Sequence, residues 1–227
     1  MPKVWQRRLP RPDPVGLVLA TVNSDVGGEL RRERREIHDY LDALPQEHWV
    51  HPSSCEGWTV QQVAAHLAGF LSLSVVGLAR RMVRAGFSPP RANARDVARW
   101  TARGSRAIVA ALGDDQPLGV ATVYARVGLT EAVIHHQDMR RPFGDARHIP
   151  EARLRVALNV IARRPGTGTG GRRRRKGVTL TATDIDWSIG HGPEVRGTGE
   201  AILMALAGRA STGEELSGEG VDLLMRG

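Results

Sequence analysis

The run Glu131-Ala-Val-Ile-His135-His-Gln-Asp138 lies inside residues 119–141, which read as one long helix closed by Pro142 and Gly144. On a helix, residues four apart sit one turn above each other, so Glu131 and His135 share a face and Asp138 follows on it. A carboxylate and an imidazole held at that spacing on a rigid rod make a two-point grip for a divalent metal. His66, in an earlier helical pattern, is the candidate third ligand, and three protein ligands leave a coordination position open for chemistry. Sites of this kind are built between the facing helices of a bundle.

The rest of the first half supplies such helices. Residues 16–44 are helix-compatible, with Leu30, Ile37, Leu41 and Leu44 near one face; Gly27-Gly28 opens the option of a break, and Pro45 ends the run. Residues 46–57 read as a loop. Thr59-Val-Gln-Gln62 then reads as a capping box, flanked by Trp58 and Val63 as a hydrophobic staple. Val60, Val63, Ala64, Leu67, Leu71 and Leu78 form an apolar stripe, and His66 lies on its shoulder with Phe70 and Leu73. A third helix is predicted over 92–112 and a fourth over 119–141. Together these argue for an antiparallel four-helix bundle over residues 16–147, preceded by a flexible extension at 1–15.

After residue 148 the texture changes. Pro150 opens a helix with Leu154, Ala157, Leu158 and Ile161 at core spacing. Residues 165–177 read as a flexible Gly- and Arg-rich loop. Three strands are predicted at 178–183, 187–189 and 194–196, then a helix at 200–206 and a short element at 221–225. Residues 148–227 are therefore expected to form a small α+β domain, which makes the chain α+β overall.

With 227 residues, 41% hydrophobic and 25% charged, the chain has the balance of a globular protein. It contains no run of eighteen apolar residues, its first residues are not expected to act as a secretory signal, and Cys55 is its one cysteine. A cytoplasmic location with no membrane partner is the expectation. The net charge is +8. Five of those positive charges come from Arg172, Arg173, Arg174, Arg175 and Lys176, so the basic pI reads as largely the property of one loop. That run lacks interleaved aromatics and a helix–turn–helix frame, so a solvated loop is preferred to a nucleic-acid contact. Gly166-Thr-Gly-Thr-Gly-Gly171 lacks the Gly-Lys-Ser/Thr ending of a phosphate loop.

The segments Trp49…Pro52-Ser-Ser-Cys55-Glu-Gly57-Trp58-Thr-Val60…Ala65-His66-Leu67 and Glu131-xxx-His135-xx-Asp138 resemble the two motifs of the mycothiol-dependent maleylpyruvate isomerase family, within the DinB-like metal-binding bundles. Ala182-Thr-Asp184-xx-Trp187-xx-Gly190 and Gly197…Leu206-xx-Arg209 resemble its C-terminal domain. The resemblance implies a zinc-binding four-helix bundle, with His66, Glu131 and His135 as ligands and mycothiol as thiol cosubstrate. The front of the chain, with its interrupting Gly27-Gly28, and the Arg172 to Lys176 loop depart from the pattern, and neither touches the metal positions.

Two imidazoles and a carboxylate form a catalytic set for Zn²⁺, and also accept other divalent ions. Metal coordination strips the proton from a thiol, and the thiolate can add to an electrophilic small molecule. Isomerisation of a cis-enedioate or S-transfer to an electrophile would follow. Asp138 reads either as a partner orienting a histidine or as an exposed helix-end residue. Arg209 is the first candidate to anchor a substrate or thiol, ahead of Arg81 and Arg140. His136 points about 100° from His135 and reads as non-ligating. Cys55 reads as a packed loop residue, and Trp58 and Trp187 as packing anchors. The alternatives are a non-catalytic metal-binding or small-molecule-sensing protein and, more remotely, a nucleic-acid-associated one. These patterns leave monomer and homodimer equally open.

Overall fold

The computed structural model describes residues 14–113, 124–145, 147–163 and 171–226. The expected extension at 1–15 falls outside them up to residue 13, and the Gly-Thr run outside them up to residue 170.

Helix α1 (Pro14–Asp42) passes through Gly27-Gly28 without a break. Two glycines cost a helix interior roughly 1 kcal/mol each. Fully burying one aliphatic side chain contributes about 1.5–3 kcal/mol, and α1 buries Val26, Leu30, Ile37 and Leu41. Packing outweighs propensity. Within the expected loop a 3-10 turn, Gln46–Val50, sets Trp49 into the core. Helix α2 (Val60–Leu71) opens on the expected capping box: Gln62 N–H donates to Thr59 Oγ1 at 3.3 Å, and Thr59 N–H to Gln62 Oε1 at 2.8 Å.

The apolar stripe is shorter than predicted. The Ser72 hydroxyl donates back to the Ala68 carbonyl, and Ser74 caps a separate helix, α3 (Val75–Arg84), which carries Leu78. The predicted helix over 92–112 is likewise two: α4 (Pro89–Thr101) and α5 (Ser105–Leu112). Gly104 between them takes φ 82° and ψ 169°, a region essentially open only to glycine. Helix α6 (Ala125–Arg140) carries the opening motif; the expected start at 119–123 lies outside the described residues. The bundle is the ring α1, α5, α2 and α6, while α4 lies against α2 and α3 folds back on α4 as a hairpin.

Helix α7 (Glu151–Arg163) packs along α6. Helix α8 (Gly171–Arg174) corrects the reading of 165–177 as loop throughout. A side chain on Gly171 would meet Ile161 Cγ1 at 2.7 Å and the Leu206 carbonyl at 3.1 Å, so the chain is wedged there. Arg175 donates to the Ala162 carbonyl near the end of α7. Arg174 donates at 3.4 Å to that of Leu206, which ends α9 (Gly199–Leu206). Cations at helix C-termini satisfy orphan carbonyls and oppose the dipole.

The three predicted strands are present as β1 (Thr179–Ala182), β2 (Ser188–Gly190) and β3 (Glu194–Gly197), in the order β2-β1-β3. β2 pairs with β1 antiparallel and β3 pairs with it parallel, so residues 191–193 must pass around the start of β1. Gly190 and Gly192 make that passage. Both have positive φ, and a Cβ on either would lie within 2.3 Å of a carbonyl oxygen of Gly177 or Val178. Helix α9 lies between α7 and the sheet, and α10 (Val221–Arg226) closes the described chain. The fold is α+β, a helical bundle followed by a small mixed layer, with one hydrophobic cluster running through both.

The charge is distributed differently from the sequence reading. Residues 75–104, covering the α3–α4 hairpin, hold seven arginines against a single aspartate, a net of +6. The hairpin, as much as the Arg172 to Lys176 run, makes the protein basic.

Candidate metal centre

Helix α2 presents His66, and α6 presents Glu131 and His135 one turn apart, where the two bundle helices face each other. One ligand atom from each of the three lies within 4.8 Å of the others. His66 Nε2 is 3.6 Å and His135 Nε2 3.4 Å from Glu131 Oε2. Ligands about 2.0–2.1 Å from a tetrahedral zinc are separated from one another by about 3.3–3.4 Å, so this spacing suits one small ion.

The far sides of both imidazoles are engaged. His66 Nδ1 is 2.6 Å from the Asn93 amide oxygen on α4, and His135 Nδ1 is 2.9 Å from Asp138 Oδ2. Each Nδ1 therefore carries a proton and donates, which leaves each Nε2 as the ring atom that faces Glu131, able to bind a cation once it gives up any proton it carries. His66 Nε2 is buried and lacks a hydrogen-bond partner. A buried ring nitrogen without a partner, beside a carboxylate and a second imidazole, is an arrangement that a bound cation would satisfy. The residues present fit a divalent metal.

Asp138 is buried with 0% of its side chain exposed, so the exposed helix-end alternative is excluded. Its carboxylate accepts from His135 and also from Arg209, whose Nε–H reaches Oδ1 at 2.8 Å and whose Nη2 reaches Oδ2. Arg209 Nη1 donates to the Ala207 carbonyl. The Arg209 guanidinium thus holds Asp138, an arrangement that puts the expected anchor residue against the carboxylate that orients His135. Burial opposes ionisation of Asp138, yet the bonds from His135 and Arg209 hold its pKa below the ordinary value. Burial likewise disfavours a charged Glu131, and the neighbouring His135 and His66 outweigh it and push the carboxyl down.

His66 is walled by Trp58, edge-on at 5.6 Å, and by Phe70, stacked at 6.3 Å. Trp58 thus borders the site, whereas Trp187 packs away with its indole N–H on Asn159. Cys55 is half-buried and burial raises its thiol pKa, as befits a packed loop residue. His136 turns to the opposite side of α6, where Nδ1–H donates to Glu33 Oε1 at 2.9 Å; it is no ligand. Arg81 pairs with Asp96 and Arg140 with Asp145. A cavity of about 550 Å³ beside α7 includes Arg141 and Arg147 but none of the three ligands. Both arginines are committed to carboxylates, Arg141 to Glu200 and Glu215 and Arg147 to Glu33 and Glu36. Asn93 was not legible in the sequence, because nothing local ties it to a histidine 27 residues away.

Fold and site together define a helical-bundle protein with a half-buried His–Glu–His cluster and an α+β C-terminal part. Residues 30–140 match the family model described as the mycothiol maleylpyruvate isomerase N-terminal domain, in line with the resemblance read from the motifs. The fold is similar to the crystal structure of the mycothiol-dependent maleylpyruvate isomerase, with a TM-score of 0.60 and 18% identity over 87% of this chain and 92% of that one. A histidine-to-alanine mutant of a protein of that description gives a TM-score of 0.56 at 17% identity, with the same coverage. At these identities the likeness is one of fold. No curated protein matches the chain.

Proposed function

We propose that the protein is a metal-dependent enzyme that activates an external low-molecular-weight thiol, mycothiol, for addition to a small electrophile. The observation that carries this reading is the buried, partnerless Nε2 of His66 directed at Glu131 and His135. The domain family of residues 30–140 supports the choice of thiol. A divalent ion such as Zn²⁺, when bound, would make a thiol acidic at neutral pH, where a free thiol of pKa ~8.5 is mostly protonated.

The chain's own groups do the rest. His66, Glu131 and His135 hold the ion. Asn93 and Asp138 fix the two imidazole tautomers, and Arg209 keeps Asp138 ionised. Trp58 and Phe70 shield the His66 side of the site from water. Cys55 stays protonated, so the reacting sulfur comes from outside. Addition to a cis-enedioate, rotation and elimination would give the trans isomer, whereas a substrate with a leaving group or epoxide would retain the sulfur. The cytoplasm, which keeps thiols reduced, is the compartment this chemistry needs. Among the described residues no helix is long and apolar enough to cross a membrane.

One observation favours a second reading, a non-catalytic metal-binding protein that senses a small molecule: Arg209, Arg141 and Arg147 are all committed to carboxylates and none is free to grip an anionic substrate. Two measurements separate the readings. Metal analysis of the purified protein should give about one divalent ion per chain, lost in His66→Ala and in Glu131→Ala; ion retained in both variants would sink the metal site. Metal-loaded protein with mycothiol and a panel of electrophiles, followed by mass spectrometry, should give an isomerised or thiol-adducted product. Saturable binding without any product would favour the sensor.

A further inference from the structure

The α3–α4 hairpin is the most unbalanced surface among the described residues. Asp96, its single acid, is shared by Arg81 at 2.5 Å and Arg99 at 3.1 Å. Arg80, Arg84 and Arg91 are exposed and have no carboxylate partner among the described residues. A cleft of about 330 Å³ between the two helices is lined by Arg80, Arg84 and Arg95 together with the Arg81–Asp96 pair. Like charges gathered on one hairpin repel, and among the described residues Asp96 is the one carboxylate that pairs with them.

The same hairpin exposes apolar side chains. Of the six large hydrophobic residues exposed among the described ones, three are here: Val76 at 60%, Val83 at 63% and Phe87 at 72%. Positions 76, 80, 83 and 84 recur at the spacing of one helix face, so Val76, Arg80, Val83 and Arg84 look outward together. Arg81, on another face, turns to α4. Phe87 ends the outward face. The Gly86 and Phe87 N–H groups close α3 by donating to Val83 and Met82 carbonyls. Phe87 is then the only non-glycine among the described residues with positive φ, at 57°. A bulky aromatic side chain is rare in that conformation, and here it is turned into water.

We propose that this hairpin docks on the surface of an anionic phospholipid bilayer. Val76, Val83 and Phe87 enter the boundary between headgroups and acyl chains, while Arg80, Arg84 and Arg91 engage lipid phosphates bidentately. A nucleic acid would answer the arginines but leave the valines in water. A second copy of the same face would bring six net charges against six. Only an anionic amphiphile answers both halves of the pattern. The inference is independent of the metal chemistry, although α4 also holds His66 through Asn93.

The test is co-sedimentation of the full-length protein with vesicles of phosphatidylglycerol and phosphatidylcholine, against phosphatidylcholine alone, in about 0.1 M and 0.5 M salt. The protein should partition to the anionic vesicles at least tenfold better than to the neutral ones, and less at high salt. Arg80→Glu/Arg84→Glu/Arg91→Glu and, separately, Phe87→Asn should each lower that partition about tenfold or more. Asparagine accepts the left-handed conformation, so Phe87→Asn keeps the turn, and unchanged far-UV circular dichroism verifies the fold of both. Equal partition to both vesicles, or none, overturns the proposal. So does loss on charge reversal with no effect of Phe87→Asn, which would mark a soluble polyanion site, or release by millimolar glycerol phosphate, which would mark a free-headgroup site.

Discussion

Asp138 shows how much of the centre rests on residues that touch no ligand. Its carboxylate is fully buried, fixes the His135 tautomer, and is itself neutralised by Arg209. Asp138→Asn keeps the shape but weakens the acceptor for His135. Divalent-metal affinity should fall about 10–100-fold in competition with a chromogenic chelator. The same change strands the Arg209 charge in the interior, at a cost of about 3–5 kcal/mol in urea unfolding. Adding Arg209→Leu should restore much of the stability and none of the affinity; recovery of both would mean that Asp138 does not act through His135. On the other side of α6, His136 donates to Glu33 and accepts from Arg140 Nε–H at 3.0 Å, so both ring nitrogens are committed in the neutral form. Burial, with Arg147 and Arg140, lowers its pKa from 6.5 to about 4 against the opposing Glu33 bond. A base whose folded pKa is depressed is protonated first in the unfolded chain. Its contribution is therefore complete above pH 6.5 and is lost as pH falls toward 4. The shift corresponds to about 3 kcal/mol. Glu33, lowered from 4.5 to about 2 although burial opposes it, adds a further loss below pH 4.5. His136→Asn retains a donor for Glu33 and cannot titrate; its stability should be flatter than that of the unaltered protein between pH 6.5 and 4.5. Parallel profiles would remove His136 as the cause.

At the level of elements, glycine gave opposite outcomes for reasons a linear reading cannot weigh. Gly27-Gly28 sits where a break was expected, and α1 continues because the burial of Val26, Leu30, Ile37 and Leu41 exceeds the propensity cost. Gly104, inside an expected single helix, ends one and begins another because its backbone adopts a conformation closed to other residues. The candidate pair Glu131 and His135 was legible because helical spacing is local, as was the capping box that fixes the start of α2 and thus the aim of His66. The Asn93 and Arg209 contacts were not, because they depend on how α4 and the segment after α9 pack against the bundle. A side chain on Gly27 or Gly28 would approach only the flexible arms of Arg31 at 3.8 Å and Arg32 at 3.6 Å. Gly27→Ala/Gly28→Ala should therefore stabilise the protein by about 1–2 kcal/mol in chemical denaturation. A loss of stability would show that α1 needs to bend there.

Across the whole molecule, the contiguous Arg172 to Lys176 run drew attention because it is contiguous, while the equally basic hairpin spreads its arginines at helical spacing and shows itself only when folded. Much of the run is spent locally, with Arg174 and Arg175 on the ends of α9 and α7. The boundary near 147/148 is also less of a division than the change in sequence texture suggested. Glu33 on α1, with 0% exposure, accepts from Arg147 at 2.5 Å and from Arg153 on α7 at 2.7 Å, and Arg153 also reaches Glu29 and Glu36. Helices α6 and α7 share one hydrophobic cluster with α9 and the sheet. Cutting the chain after Arg147 would remove Arg153 from a buried carboxylate and expose the apolar side of α6, and leaving a buried charge short of its partner is among the costliest single losses a fold can suffer. We propose that residues 16–147 and 148–227 are distinct in architecture yet fold as one cooperative unit. Tryptophan fluorescence, which draws on Trp5, Trp49, Trp58 and Trp100 before the boundary and Trp187 after it, and far-UV circular dichroism should then give superimposable urea transitions for the full chain. The fragment ending at Arg147 should lack a cooperative transition and bind no stoichiometric metal. Two separated transitions, or a fragment that unfolds cooperatively, would return the boundary to the place the sequence assigned it.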